Sequence, residues 1–78
     1  MSSFIKLNRY INQLGGTRTV RVNVDQIQYY YLDEQVVNLE TVDCTMVSFE
    51  NAVFNVTELP DEIDEMLMDN YYDEGIYP

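Results

Sequence analysis

Carboxylates are the most numerous side chains in this chain that could carry out chemistry. The sequence holds fourteen aspartates and glutamates, and their densest run lies in residues 57–70 (TELPDEIDEMLMDN). Acid–base or glycosidic catalysis needs two carboxylates in different environments that face one cleft. A chain of 78 residues has little room for such a cleft, and most of these carboxylates fall on one predicted solvent face. We therefore expect a protein that is not an enzyme.

The composition argues against catalysis by a cysteine nucleophile and against a metal site. Cys44 is the only cysteine, and the sequence contains no histidine. A nucleophilic cysteine commonly needs a histidine as its base, and a zinc site is built largely from cysteines and histidines. The acidic run also lacks the glycine-containing twelve-residue loop of an EF-hand. The sequence therefore predicts a buried Cys44 with no intramolecular disulfide, no metal site and no cofactor.

Tyrosines beside carboxylates are a second candidate for recognition chemistry. They occur in residues 29–34 (YYYLDE) and in residues 71–74 (YYDE). Aromatic side chains that stack on nucleic-acid bases normally have basic residues around them, whereas these have acidic ones. Arginine can stack on a tyrosine ring and pair with a carboxylate, so the pattern indicates an arginine-rich protein partner. A second interpretation stays open, in which Tyr29 or Tyr31 belongs to the core and the later tyrosines cover a hydrophobic edge.

The charge of the chain is divided between its two ends. All four cations precede Val22 and all fourteen anions lie from Asp25 onward, and 4 − 14 gives a net charge of −10. Phosphate binding needs clustered lysine and arginine, and an anionic membrane repels an acidic chain. We therefore expect no direct binding of nucleic acid or membrane, and a partner with a basic surface. An acidic surface that serves only solubility is the alternative.

The segment that should carry this chemistry reads as an acidic amphipathic helix over residues 57–70. Thr57 is the expected N-cap, and Pro60 falls in the first turn, where its missing N–H does no harm. The apolar face consists of Leu59, Ile63, Met66 and Leu67, with a helical period. A second stripe, on a different face, consists of Glu58, Glu62, Glu65 and Asp69.

Short strands precede this helix. Residues 4–11 and 19–24 alternate apolar and polar side chains and should form a hairpin through Gly15 and Gly16. Residues 27–32 are rich in strand-favouring tyrosine. Residues 45–49 and 52–56 should form a second hairpin through the two residues Glu50 and Asn51, since asparagine tolerates positive φ. Residues 33–44 fit either a short strand or a loop that covers the core.

These elements predict an α+β fold. We expect a small curved antiparallel sheet of four to six short strands, with one C-terminal acidic amphipathic helix packed on it. Residues 1–70 would form a single domain, and residues 71–78 an acidic, tyrosine-rich tail. The N-terminus lacks the apolar core of a signal peptide, and no apolar run approaches a membrane span. This predicts a cytoplasmic location, in the host cytoplasm if the protein is viral.

The order of the segments FIKL, TVRVNVDQI and TMVSFENAVFNV, followed by a short acidic helix, resembles the FlbD-like family of small flagellar-operon proteins. The same order of segments also resembles short phage proteins that are built in the same way. The resemblance covers about residues 4–67, and residues 33–44 are longer than the family pattern. It implies a β-rich fold with a helix and assigns no functional residue.

The acidic helix leads to the main functional hypothesis. Carboxylates one helical turn apart are separated by roughly 5–6 Å along the axis, a spacing comparable to that of neighbouring phosphates on one nucleic-acid strand. We therefore expect a phage-type inhibitor of a basic, nucleic-acid-handling host protein, of the anti-CRISPR, anti-restriction or transcription-inhibitor class. The expected partner-binding residues are Glu58, Asp61, Glu62, Glu65, Asp69, Tyr71, Tyr72, Asp73 and Glu74.

A structural or regulatory interaction module is the alternative hypothesis. It would bind by adding a strand at an exposed sheet edge, or would associate with itself as a homodimer through its tyrosines.

Overall fold

Five antiparallel strands and one helix make up the fold. The computed structural model of the protein describes the backbone of residues 3–73 and the side chains of residues 3–68. The elements are β1 (Phe4–Tyr10), β2 (Thr17–Asn23), β3 (Ile27–Val37), β4 (Glu40–Phe49), β5 (Val53–Val56) and α1 (Pro60–Asp73). The strands form one sheet in the order β2-β1-β5-β4-β3. The predicted α+β fold with a C-terminal helix is confirmed.

The first hairpin follows the alternation of its residues. Ile5 pairs with Val22 and Leu7 pairs with Val20, so these apolar side chains share one face of the sheet. The loop between the strands is closed by the Asn12 side chain, whose Oδ1 accepts hydrogen bonds from two backbone N–H groups. Gly15 has a φ of 97° there, a conformation that glycine adopts at little cost. The predicted hairpin and its glycine turn are therefore confirmed.

The hairpin of β3 and β4 is longer than the sequence indicates. Residues 33–44 are neither a loop nor one short strand, because they form the outer halves of β3 and β4 around a two-residue turn. The turn residues Asn38 and Leu39 have φ values of 52° and 70°, as a type I′ turn requires. The Asn38 N–H donates to the Gln13 carbonyl at 2.7 Å. The hairpin tip is therefore held against the β1–β2 loop.

The connection between β4 and β5 is short, as expected. The Phe49 N–H donates to the Ala52 carbonyl at 2.7 Å across Glu50 and Asn51. Positive φ is not used in this turn, because Asn38 and Leu39 are the non-glycine residues with positive φ in the described part of the chain. The predicted connection is confirmed, but the reason given for Asn51 is wrong.

The core lies between one face of the sheet and α1. Ile63 is fully buried against a cluster that includes Leu7, Val47 and Val56. Met66 and Leu67 are partly buried against the same cluster, so the predicted helix phase is confirmed for these three positions. Leu59 differs, because it precedes the helix and 38% of it is exposed.

The helix begins two residues later than the N-cap prediction requires. Thr57 does not cap it, because the Thr57 N–H donates instead to the Asn8 carbonyl at 2.9 Å and so stays beside β1. Pro60 is the first helical residue. The Leu59 N–H is bound by the Glu62 carboxylate at 2.9 Å, which is half of a capping box. The helix backbone runs to Asp73, past the domain boundary predicted after residue 70.

We expect the Ile63→Asp substitution to abolish cooperative unfolding, because an unpaired charge in this interface is costly. Ile63→Ala should lower the free energy of unfolding by about 2–5 kcal/mol, through lost burial and the cavity left behind. Met68→Asp is the control, since Met68 is 57% exposed on the same helix and should melt near the wild type. Urea titration followed by circular dichroism measures all three. Wild-type unfolding of Ile63→Asp would contradict the observed packing.

Candidate partner-binding surface

A small cleft opens where α1 begins, against the outer strands of the sheet. Its volume is about 340 Å³, and it is lined by Leu32, Asp43, Leu59, Pro60 and Asp61. The two aspartates are exposed, and the other three residues form an apolar floor. A lysine or arginine side chain can lay its aliphatic stem on such a floor and place its charge between carboxylates. We call these five residues the acidic cleft.

The chain before the helix is held in place by bonds to β1 and β4. Glu58 accepts two hydrogen bonds from Asn8 at 2.8 Å each, one from the backbone N–H and one from the side-chain amide. The Thr45 hydroxyl donates to the Glu58 carbonyl at 2.6 Å. These bonds set the position of Leu59 and Pro60 beside β4. The acidic cleft is therefore formed on a fixed segment.

Glu58 does not belong to the helix stripe in which the sequence places it. It precedes α1, and its carboxylate is turned toward Asn8 on β1. The prediction depended on a helix that begins at Thr57, and it is wrong because that residue pairs with β1 instead. In this structure Glu58 connects elements of the fold.

Three of the predicted binding residues lie together in the first turns of the helix. Asp61, Glu62 and Glu65 are exposed there, and negative charge is favourable near a helix N-terminus. The structure gives only the backbone of the other predicted helical positions, and their side chains lie outside the described residues. These positions are Asp69, Tyr71, Tyr72 and Asp73. Glu74 also lies outside the described residues.

Tyr30 connects β3 to the helix. Its hydroxyl donates a hydrogen bond to the carboxylate of Asp64. Burial raises the pKa of Tyr30 to about 12, with further contributions from this hydrogen bond and from the negative charge of Asp64. Asp64 is exposed like Asp61, Glu62 and Glu65, but its carboxylate is engaged by β3. The contact therefore ties the helix to β3.

The other two tyrosines of the central run point outward. Tyr29 is 56% exposed and Tyr31 is 49% exposed. Their rings are stacked, with centroids 6.3 Å apart and an interplanar angle of 11°. The interpretation that places Tyr29 or Tyr31 in the core is therefore wrong, because the tyrosine of this run that packs against the core cluster is Tyr30.

Charge is separated across the sheet. The four cations lie on β1 and β2, which contain no acidic residue, and they are Lys6, Arg9, Arg18 and Arg21. The opposite side of the sheet, β4 and β3, carries acidic residues and no cation: Asp33, Glu34, Glu40 and Asp43. Because β5 separates the two hairpins, the acidic side and the helix form one negative end of the molecule.

Cys44 lies in an environment that disfavours its thiolate. The residue is fully buried. Burial raises the pKa of the Cys44 thiol, and the nearby charges of Asp33, Asp43 and Glu34 raise it further. A reactive cysteine needs the opposite shift, so the thiol packs as a small apolar group. This is the environment that the sequence predicts.

Over the described part of the chain, no group of three or more His, Cys, Asp or Glu side chains could hold a metal ion. In the same residues, no helix is both long enough and apolar enough to cross a membrane.

Comparisons with protein-family models, with curated proteins and with solved structures found no match. The resemblance to FlbD-like proteins therefore stays a prediction.

Asp43 and Leu32 are the cleft residues that sequence reasoning missed. Both lie in the β3–β4 hairpin, whose outer half the sequence leaves ambiguous. Asp43 could have been found from a two-residue alternation in the sequence, in which an acidic residue lies between the apolar residues Val42 and Cys44. The structure follows this alternation, because Val42 is half-buried, Asp43 is exposed and Cys44 is buried. The proximity of Asp43 and Leu32 to Asp61 results from tertiary packing, and no local sequence pattern predicts it.

We expect the Glu58→Ala substitution to lower the free energy of unfolding by about 1–3 kcal/mol, because the Asn8 N–H loses its acceptor. Glu65→Ala removes the same charge from an exposed helix position and is the matched control, expected within about 0.5 kcal/mol of the wild type. Denaturant unfolding of both variants makes the comparison. Equal stabilities would show that Glu58 is not structural.

Alkaline titration should reveal the Tyr30–Asp64 contact. The folded pKa of Tyr30 is about 12, above the ordinary value of about 10, so the contact stabilises the fold below pH 10. This contribution is lost as pH rises from about 10 to 12. Thermal melts across that range should show a steeper decline in the wild type than in Tyr30→Phe. The variant should lose the late absorbance of one tyrosine, while Tyr10, whose pKa burial also raises, keeps its own. Late absorbance equal to that of the wild type would contradict the assignment.

Proposed function

We propose that the protein is a non-enzymatic inhibitor of phage type, which binds a basic, nucleic-acid-handling host protein through the acidic cleft and the adjacent carboxylates of Glu62 and Glu65. The observation that carries this proposal is the acidic cleft itself, with its apolar floor and its two exposed aspartates. An acidic surface kept only for solubility has no need of such a floor.

The chemistry of the cleft suits a cationic side chain. The guanidinium group of arginine forms charge-assisted hydrogen bonds with carboxylates, and these are stronger than neutral ones. The apolar floor removes water from the aliphatic stem, which adds a contribution that a purely charged surface lacks. One arginine or lysine can therefore be held by Asp43 and Asp61 at once.

The helix extends this site along one direction. Asp61 and Glu65 are one turn apart, or roughly 6 Å along the axis. A groove that binds nucleic acid carries lysine and arginine side chains placed for phosphates. The helix can present carboxylates to several of them, and the protein would then compete with the nucleic acid for that groove.

The net charge of −10 adds a kinetic expectation. Opposite charges on two proteins accelerate their encounter, and dissolved salt screens that attraction. Association with a basic partner should therefore slow steeply as salt is raised, while the dissociation rate changes less. Surface plasmon resonance at low and high salt measures both rates. An association rate that is independent of salt would contradict charge-driven recognition.

An affinity purification from bacterial lysate with matched variants tests the site. The cleft variant is Asp43→Lys/Asp61→Lys. The control is Glu40→Lys/Glu50→Lys, which changes net charge by the same amount at exposed positions outside the cleft. We expect the wild type and the control to retain a basic, nucleic-acid-binding protein that the cleft variant loses. Retention by the cleft variant, or equal loss by both variants, would contradict the proposed site.

A further inference from the structure

Strand β3 forms one edge of the sheet. It spans eleven residues, Ile27–Val37, and pairs with β4 on one side. An edge strand presents backbone N–H and C=O groups along its outer side, where another extended chain can bind. Peptide recognition by strand addition uses these groups for affinity and alternate side chains for specificity.

The hairpin turn shows which backbone groups point outward. In a two-residue hairpin, the residues that flank the turn exchange both of their hydrogen bonds. Val37 and Glu40 are that pair here, so odd-numbered residues of β3 bond to β4. Even-numbered residues from Tyr30 onward project their N–H and C=O groups away from the sheet. These residues are Tyr30, Leu32, Glu34 and Val36.

The outer edge of β3 from Tyr30 to Glu34 lacks most devices that block edge pairing. At Val36 the β1–β2 loop lies beside the strand, since the Asn38 N–H donates to the Gln13 carbonyl and Val36 lines a cleft with Gln13 and Leu14. Strand β3 contains no proline and no lysine, and the irregularity in its pairing is confined to residues 27–29. Its charges are the carboxylates of Asp33 and Glu34. Such an edge repels another acidic strand and attracts a cationic one.

The two faces of β3 differ in chemistry. One face carries the stacked, exposed rings of Tyr29 and Tyr31, on which arginine can stack. The other face carries Leu32 and Val36 on either side of Glu34, and all three are exposed. A strand added beside β3 would present its own side chains alternately to these two faces. Alternating cationic and apolar side chains match both.

We propose that the outer edge of β3 binds an extended segment with alternating cationic and apolar side chains. The cationic character of this segment rests on the proposed function, since the segment belongs to the basic partner. The edge adds a directional contact beside the acidic cleft, whose residue Leu32 lies on β3 itself. A second copy of this chain fits the edge less well, because each copy carries a net charge of −10.

The probe that tests this inference is a capped eight-residue peptide of alternating arginine and valine, labelled with fluorescein. The control peptide has the same composition as four arginines followed by four valines. On the protein, Glu34→Pro removes one outward N–H, and Glu34→Ala removes the same charge while keeping that N–H. Circular dichroism verifies that both variants fold.

Fluorescence anisotropy should show that the alternating peptide binds the wild type more tightly than the block peptide. Glu34→Pro should weaken its binding about tenfold or more, since a hydrogen bond is lost and the ring obstructs the edge. Glu34→Ala should weaken it only about twofold, as expected for one exposed charge. Equal weakening by both variants, or equal binding of both peptides, would overturn the inference.

Amide hydrogen exchange in the wild type provides a test that does not depend on any variant. On adding the alternating peptide, exchange should slow at Tyr30, Leu32 and Glu34, the outward amides clear of the β1–β2 loop. Binding without slower exchange at these amides, and with spectral changes confined to Asp43 and Asp61, would overturn the edge inference while supporting the acidic cleft. Slower exchange that persists in the Asp43→Lys/Asp61→Lys variant would separate the edge from the cleft.

Light scattering of the protein alone tests whether a second copy of this chain occupies the β3 edge instead. We expect a monomer in the absence of peptide. A dimer that Glu34→Pro dissociates would assign the edge to a second copy and would overturn the partner that we propose.

Discussion

The burial of Ile63 between α1 and the sheet is the contact on which the rest of the structure depends. Complete burial of an isoleucine side chain contributes about 1.5–3 kcal/mol, and Ile63 is fully buried against Leu7, Val47 and Val56. These three residues come from β1, β4 and β5. The helix therefore holds three strands together, and its N-terminus is placed beside β4. Without this contact Asp61 and Asp43 would not share a cleft.

The polar contacts around the helix make its position specific. Apolar packing alone tolerates small rotations of a helix on a sheet, whereas hydrogen bonds have strict geometry. Glu58 is bound to Asn8 on β1, and the Thr45 hydroxyl is bound to the Glu58 carbonyl. Tyr30 is bound to Asp64. The apolar contact supplies stability, and these bonds set the direction in which the carboxylates point.

The sequence allows prediction of the parts whose patterns are local. The alternation around Ile5 and Val22 predicts the first hairpin, and the period of Ile63, Met66 and Leu67 predicts the helix and its buried face. The turn at Asn38 and Leu39 has no such signal, because leucine rarely adopts a φ of 70°, and Leu39 is 96% exposed.

Only the helical part of the candidate site can be predicted from the sequence, because the other part is brought together by contacts between distant segments. Asp61, Glu62 and Glu65 lie in the predicted helix, so their exposure follows from its period. Asp43 joins them through the pairing of β4 with β3 and β5, which no local pattern encodes. Glu58 shows the converse, because its place in a helical stripe is overridden by its hydrogen bonds to Asn8.

The central claim is that the acidic cleft holds a cationic side chain. Its most direct test is a nuclear magnetic resonance titration of the protein with capped arginine amide, with capped citrulline amide as the neutral control of equal shape. The account predicts that arginine shifts the signals of Leu32, Asp43, Leu59 and Asp61 and that citrulline does not. Equal shifts from both compounds, or arginine shifts spread evenly over exposed carboxylates such as Glu40 and Glu50, would contradict it.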